Sequence, residues 1–144
     1  MVAQSEMPEH EKIEAPASSC PFCCRIASGD VDRDLAHAVS FADSYPLNPG
    51  HTLIVPRRHV SDIYELTLSE RTGLWRLVDD VALALREQSA VEGLNIGVNI
   101  GEAAGQTVGH AHVHVVPRHT GDVDDPRGGI RWVIPGRAAY WLTN

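Results

Sequence analysis

The chain has 144 residues, of which 43% are hydrophobic, and a formal net charge of -7. One domain is the simplest reading, large enough to bury roughly two-thirds of its unfolded surface without disulfides. The acidic balance excludes the polybasic footprint of a nucleic-acid binder. No apolar run approaches the ~20 residues that span a bilayer, and the acidic N-terminus lacks the basic-then-apolar layout of a signal peptide, so no membrane partner and a cytoplasmic location are expected.

Residues 1–19 carry Pro8, Pro16 and four glutamates with little apolar patterning, which reads as a disordered tail. Cys20, Cys23 and Cys24 follow within five residues and cannot staple distant parts of a fold. The pair in Cys20-Pro21-Phe22-Cys23 supplies two thiolates, half of a tetrahedral metal site, or else two plain reduced thiols at a helix start. Pro21 to Ser28 reads as a short helix, with Phe22 and Ile26 on one side and Gly29 as its stop.

Leu35 to Ala42 alternates loosely as a strand. Tyr45-Pro46-Leu47-Asn48-Pro49-Gly50 is turn chemistry, and His51 to Pro56 is a second strand, paired antiparallel with the first. From about Thr67 to Glu92, Leu74, Leu77, Val78, Val81 and Leu85 recur at three- and four-residue spacing, the mark of an amphipathic helix laid on a sheet. Thr67 with Glu70 fits a capping box, Ser69 competes as the cap, and Gly93 is the expected stop. Leu94 to Ile100 follows as another strand. The fold class is α+β, a mostly antiparallel sheet with one long amphipathic helix and a short N-terminal helix.

The densest chemistry lies between Gly105 and Arg118. His110, His112 and His114 alternate with Ala111, Val113 and Val115, a period of two that turns three imidazoles to one face of a strand and the apolar residues into a core. Rings at this spacing are roughly 7 Å apart and can act on successive atoms of one substrate as nucleophile, proton carrier or metal ligand. A histidine-rich face without a task, or three ligands of one metal, would use the same pattern. Gly105 and Gly109 bracket a turn whose backbone N–H groups can face an anion, and Gln106 and Thr107 add neutral donors. There is no Walker motif.

His110-Ala111-His112-Val113-His114-Val115-Val116 resembles the histidine triad (HIT) motif, with Ala111 as a small apolar residue. The resemblance extends through Gly105-Gln106-Thr107-Val108, Asn48-Pro49-Gly50-His51, Leu53-Ile54-Val55-Pro56 and Cys20-Pro21-Phe22-Cys23. It implies a HIT-like domain over residues 20–120 and a C-terminal extension over 121–144 packed on that domain or on a dimer partner.

The activity it implies is attack at the α-phosphate of a nucleoside phosphoramidate or dinucleoside polyphosphate. His112 would be the nucleophile that forms a covalent nucleotidyl-imidazole, and water would then release the nucleoside monophosphate. His114 would contact the phosphate and help the leaving group, while Asn99, Gln106 and Thr107 would hold the phosphoryl oxygens. Asp43 would bind the ribose beside His51, and Phe22, Ile26 and Phe41 would wall the base of a purine nucleotide. Similar proteins use a CxxC pair, a histidine after the Pro-ended strand and the first triad histidine as a structural zinc site, here Cys20, Cys23, His59 and His110. If zinc is absent, His110 orients His112. No catalytic cofactor is implied, and a homodimer is.

Alternatives within the same chemistry are a nucleotidyl transferase or phosphorylase. A nucleotide-binding interaction protein with incidental turnover is a third reading. In the extension, Arg127, Arg131 or Trp132 is expected to reach an active site, the chain's own or a partner's, and to help choose the leaving group, with a tail packed for stability, served by Trp132 and Trp141, as the alternative.

Overall fold

The computed structural model describes residues 19–143, so the tail expected over residues 1–19 lies, but for Ser19, outside the described residues. Helix α1, Pro21–Ser28, begins with Pro21 in its first turn. The Cys20 side chain accepts from the Cys23 N–H as N-cap, and Gly29 ends the helix at φ 74°, where a residue without a Cβ takes the left-handed conformation at least cost. Strands β1, Arg33–Asp34, β2, Ala38–Ala42, and β3, Thr52–Pro56, then form an antiparallel meander. The strand expected from Leu35 starts at Ala38 because the Leu35 N–H bonds to the Ala38 carbonyl and closes the β1–β2 turn.

Helix α2, Leu68–Arg86, carries the full capping box of Thr67 and Glu70. It stops before the expected Gly93, which instead opens strand β4, Gly93–Gly97, opposite Arg118; the apolar periodicity ends at Leu85, and Glu87, Gln88 and Ser89 have no core to face. Strand β5, Val113–Arg118, is antiparallel to both β3 and β4, giving the sheet order β1-β2-β3-β5-β4. The antiparallel sheet with one long helix is the α+β class read from the sequence.

Each sheet face has its own core. Ala38, Ile54, Val113 and Val115 pack under Leu74, Leu77, Val78 and Val81 of α2. On the other face Val39, Phe41, Leu53 and Val55 pack with Cys20 and Phe22 of the α1 region. Alternation along β5 therefore sends Val113 and Val115 to α2 and His114, with Val116, to the opposite face. Beyond β5, Asp122 takes two hydrogen bonds from the Arg118 guanidinium and one from Asn48, tying the start of the extension to the turn before β3. The extension continues through short helical turns at Gly129–Val133, Pro135–Ala138 and Tyr140–Leu142. Among the described residues no helix is long and apolar enough to cross a membrane.

Gly50 links the turn to β3 at φ 93°, and a Cβ there would sit 3.2 Å from Leu85 Cδ2 and 3.3 Å from Pro117 Cγ. Gly50→Ala is expected to cost about 1–3 kcal/mol through backbone strain and crowding together. Urea unfolding should show a lower midpoint at an unchanged slope, and an unchanged midpoint would contradict this account of the turn.

Candidate active site

His110 and His112 precede the paired part of β5, which begins at Val113. The ladder with β3 stops at Ile54↔Val113, and the Ala111 N–H bonds to the Val60 carbonyl instead. Pro56 ends β3 and has no N–H to continue the pairing. Its carbonyl is put to another use, 2.8 Å from His110 Nε2.

A carbonyl can only accept, so Nε2 of His110 carries the proton and Nδ1 keeps its lone pair. His112 is fixed in the opposite sense, with Nδ1 donating to the His110 carbonyl at 2.8 Å, which leaves Nε2 as the basic nitrogen of the neutral ring. The third ring is set through His51. The Leu47 N–H donates to His51 Nδ1 at 3.1 Å, so His51 Nε2 carries the proton and donates to His114 Nδ1 at 3.0 Å. The neutral His114 then bears its proton on Nε2.

The rings form a contiguous row. His112 and His114 lie 5.0 Å apart between centroids, and Phe22 stands edge-on to His112 at 5.1 Å. Burial, with the neighbouring His112 and His51 rings, pushes His114 down to about 4, and burial lowers His51 as well. Burial likewise takes His110 down to about 4. These three rings are neutral near pH 7. Asp43 keeps its Oδ2 3.5 Å from His51 Nε2, while its Oδ1 accepts from the Tyr45 N–H.

A cavity of about 620 Å³ opens over this row, within the range of small-molecule sites. His51, His112, His114, Asp43, Asn99 and Thr107 line it, as do Phe22 and Phe41. Two residues expected there do not. Gln106 donates to the Ser61 and Val108 carbonyls and accepts from the Gly101 N–H, so its amide holds the loop. Ile26 packs behind Phe22 in the second core. Arg25, Leu53, Asn95, Gly97 and Ile130 also line the cavity. Leu53 was readable from the alternation of β3, but Asn95, Gly97 and Ile130 carry no local signal.

Arg127 and Arg131 do not reach the cavity as expected. Arg127 pairs with Asp125, Arg131 donates to the Ala138 and Arg137 carbonyls, and Trp132 Nε1 donates to the Arg127 carbonyl.

Behind the row, Cys20, Cys23, His59 and His110 bring four ligand atoms within 4.8 Å of one another. His110 Nδ1 lies 3.4 Å from Cys20 Sγ, 3.5 Å from Cys23 Sγ and 3.2 Å from His59 Nδ1. Metal–ligand bonds of about 2.0–2.3 Å in a tetrahedron give edges close to these, and the Pro56 bond already turns the His110 lone pair into the group. These four residues can hold a metal ion. Cys24 is exposed and outside the group.

The HIT domain family matches residues 31–121, and the chain belongs to the HIT family. The zinc-bound histidine triad family protein of Mycobacterium smegmatis superposes with TM-score 0.65 at 37% identity, covering 74% of this chain and 80% of that one. The AP-4-A phosphorylase of Mycobacterium tuberculosis is 41% identical over 81 residues, 56% of this chain and 42% of its own. A bis(5'-nucleosyl)-tetraphosphatase of Schizosaccharomyces pombe is 38% identical over 88 residues, 61% of this chain and 48% of its own.

Burial and the neighbouring Cys20 push the Cys23 thiol up to about 11, so a metal must displace its proton and affinity should rise with pH. Titration of the metal-free protein with Co²⁺ should give thiolate charge-transfer absorption that strengthens from pH 6 to pH 8 and vanishes in Cys23→Ser. Absorption that is indifferent to pH or to the substitution would contradict the four-ligand group.

Proposed function

We propose that this chain is a HIT-type enzyme that transfers a nucleotidyl group from a nucleoside phosphoramidate or dinucleoside polyphosphate to His112 and then to water, releasing the nucleoside monophosphate. The observation that carries the reading is the His112 ring in the cavity wall with Nδ1 bound to the His110 carbonyl. Its only basic nitrogen is Nε2, and a neutral imidazole is a competent nucleophile at pH 7.

In the first step the Nε2 lone pair forms the new P–N bond, and the bond from phosphorus to the leaving atom breaks with its electron pair going to that atom. The leaving atom takes a proton through His114 Nε2, and solvent supplies that proton. His112 becomes a phosphorylated imidazolium, whose charge the His110 carbonyl stabilises through Nδ1–H. In the second step a water oxygen bonds to phosphorus and the P–N bond returns its pair to His112. One of the water's protons replaces the one taken from solvent, and the other is left for the released amine or phosphate. Asn99 and Thr107 in the lining suit the phosphoryl oxygens.

Asp43, with a carboxylate beside His51, suits two ribose hydroxyls, and the Phe22 and Phe41 rings, 5.4 Å apart, suit a purine. No catalytic cofactor enters these steps. Zinc is the ion we assign to Cys20, Cys23, His59 and His110, from two sulfur and two nitrogen donors closed around one point and from the zinc-bound relative. When bound it would supply structural tethering of α1 to the β3 and β5 ends, and it leaves no open position for substrate. A homodimer is proposed on the uncovered edge of β4, which sedimentation at low micromolar concentration reads directly. The cytoplasm suits thiols that must stay reduced.

Reactions with adenosine phosphoramidate quenched in alkaline denaturant, where the P–N bond survives, should show wild-type protein carrying one adenylyl group by intact mass. His112→Ala should lack the adduct and lose turnover on the order of 10³-fold or more. Diphosphate formed only when inorganic phosphate is added would make the enzyme a phosphorylase, and adduct formation by His112→Ala would contradict the assigned nucleophile.

A further inference from the structure

The strand registers measure out the cavity. His114 on β5 pairs with Leu53 on β3, and Leu53 pairs with Phe41 on β2. Residues paired directly across a sheet share a face, and strands about 4.8 Å apart put the Phe41 position roughly 10 Å from the histidine row. Whatever stands over Phe41 is therefore two strands away from the phosphorus that His112 attacks. That is the reach of the base of a nucleotide, not of its α-phosphate.

Arg25 stands there. Its Cζ lies 4.1 Å from the Phe41 ring centroid, and among the described residues it is the one Lys or Arg side chain in the cavity lining. Phe41 is fully buried with Arg25 laid over it, so the polar character of this end of the cavity is that of a guanidinium.

The group is held in place. One face lies on Phe41, Nη1 donates to the Ala42 carbonyl at 2.8 Å, and Nε donates to Asp30 Oδ2 at 2.8 Å. Ala42 directly precedes Asp43, so one short segment carries both the carboxylate proposed for the ribose and the anchor of the cation. A guanidinium has five N–H donors in a rigid plane. Here both N–H groups of Nη2 and the second of Nη1 have no acceptor among the described residues. The side chain is only 24% exposed, and an occupant that brings acceptors to that edge satisfies donors that water reaches poorly.

The bases differ in what they bring. Guanine presents two acceptors, O6 and N7, on one edge, and a guanidinium fork matches that pair. Adenine presents N7 beside its N6 amino group, whose hydrogens would face the cation, and cytosine also turns an amino group to that edge.

We infer that Arg25 is the base-reading residue of this site and selects guanine over adenine nucleotides by donating to O6 and N7. This rests on the nucleoside placement proposed above and holds for any leaving group. A role confined to pinning α1 against β2 would weaken all nucleotides alike, so ratios between bases tell the two apart.

Calorimetric titration of the full chain with guanosine, inosine and adenosine 5'-monophosphates should give dissociation constants about tenfold lower for the first two than for the third. Inosine keeps O6 and N7 without the 2-amino group, so inosine binding as weakly as adenosine would overturn the inference. The 7-deazaguanosine compound, which lacks the N7 acceptor, should fall severalfold toward adenosine. Arg25→Ala should bring guanosine and adenosine to within about twofold, and Arg25→Lys, which keeps the charge without the fork, should lose most of the preference too. A guanosine preference that survives both substitutions would overturn the assignment, and the wild-type ranking of the four compounds decides it even if a variant fails to fold.

Monophosphates are bound without turnover, which separates this from the chemistry of His112. A guanosine and inosine preference lost with Arg25 stands even if no adduct forms on His112. Equal binding of guanosine and adenosine overturns the base reading alone, and no binding of any monophosphate overturns the nucleoside placement together with it.

Discussion

The site depends on one buried ring. His110 is fully excluded from solvent, and each of its polar groups has a different task. Nε2–H is held by the Pro56 carbonyl, Nδ1 faces the two cysteines and His59, and the backbone carbonyl receives the Nδ1–H of His112. A proline at the end of β3 is what permits this. It cannot pair onward, so its carbonyl is free for a side chain, and that bond decides which nitrogen of His110 faces the metal-binding group. The same residue then decides which nitrogen of His112 is free for chemistry.

The rest of the row follows from burial and from a backbone donor with no choice of role. A backbone N–H from Leu47 sets His51, and His51 sets His114. Desolvation keeps His114, His110 and His51 neutral. For these histidines the unfolded chain binds the proton first, so the stability they contribute is full above the ordinary value near 6.5 and is lost as pH falls toward the lowered folded values. The tautomers of His112 and His114 are therefore set by the His110 carbonyl and, through His51, by the turn before β3.

Much of this was legible in the sequence. The alternation from His110 to Val116 separates rings from valines, Thr67 and Glu70 announce the start of α2, and the leucine–valine spacing identifies the face that α2 buries. The strand boundary was not legible, because the sequence alternation runs on through His110 and His112 while the partner strand ends at Pro56. Gln106 lies outside the cavity lining for a related reason: a donor side chain between glycines suits an anion, yet its amide is taken by the Gly101 N–H and by the Val108 and Ser61 carbonyls. Arg127 and Arg131 do not line this chain's own cavity, because local acceptors take both guanidinium groups. Ile130 and Asn95 reach the cavity only through tertiary packing, which no local pattern encodes.

The central claim is that backbone groups, directly for His110 and His112 and through His51 for His114, fix the proton on a stated nitrogen of each triad ring. Long-range ¹H–¹⁵N correlation of the imidazole nitrogens in the full chain near pH 7 reads this directly. The account predicts a proton on His112 at Nδ1 and neutral His110 and His114 rings protonated at Nε2. A His112 ring protonated at Nε2 would remove the free lone pair from the reacting position and contradict the account.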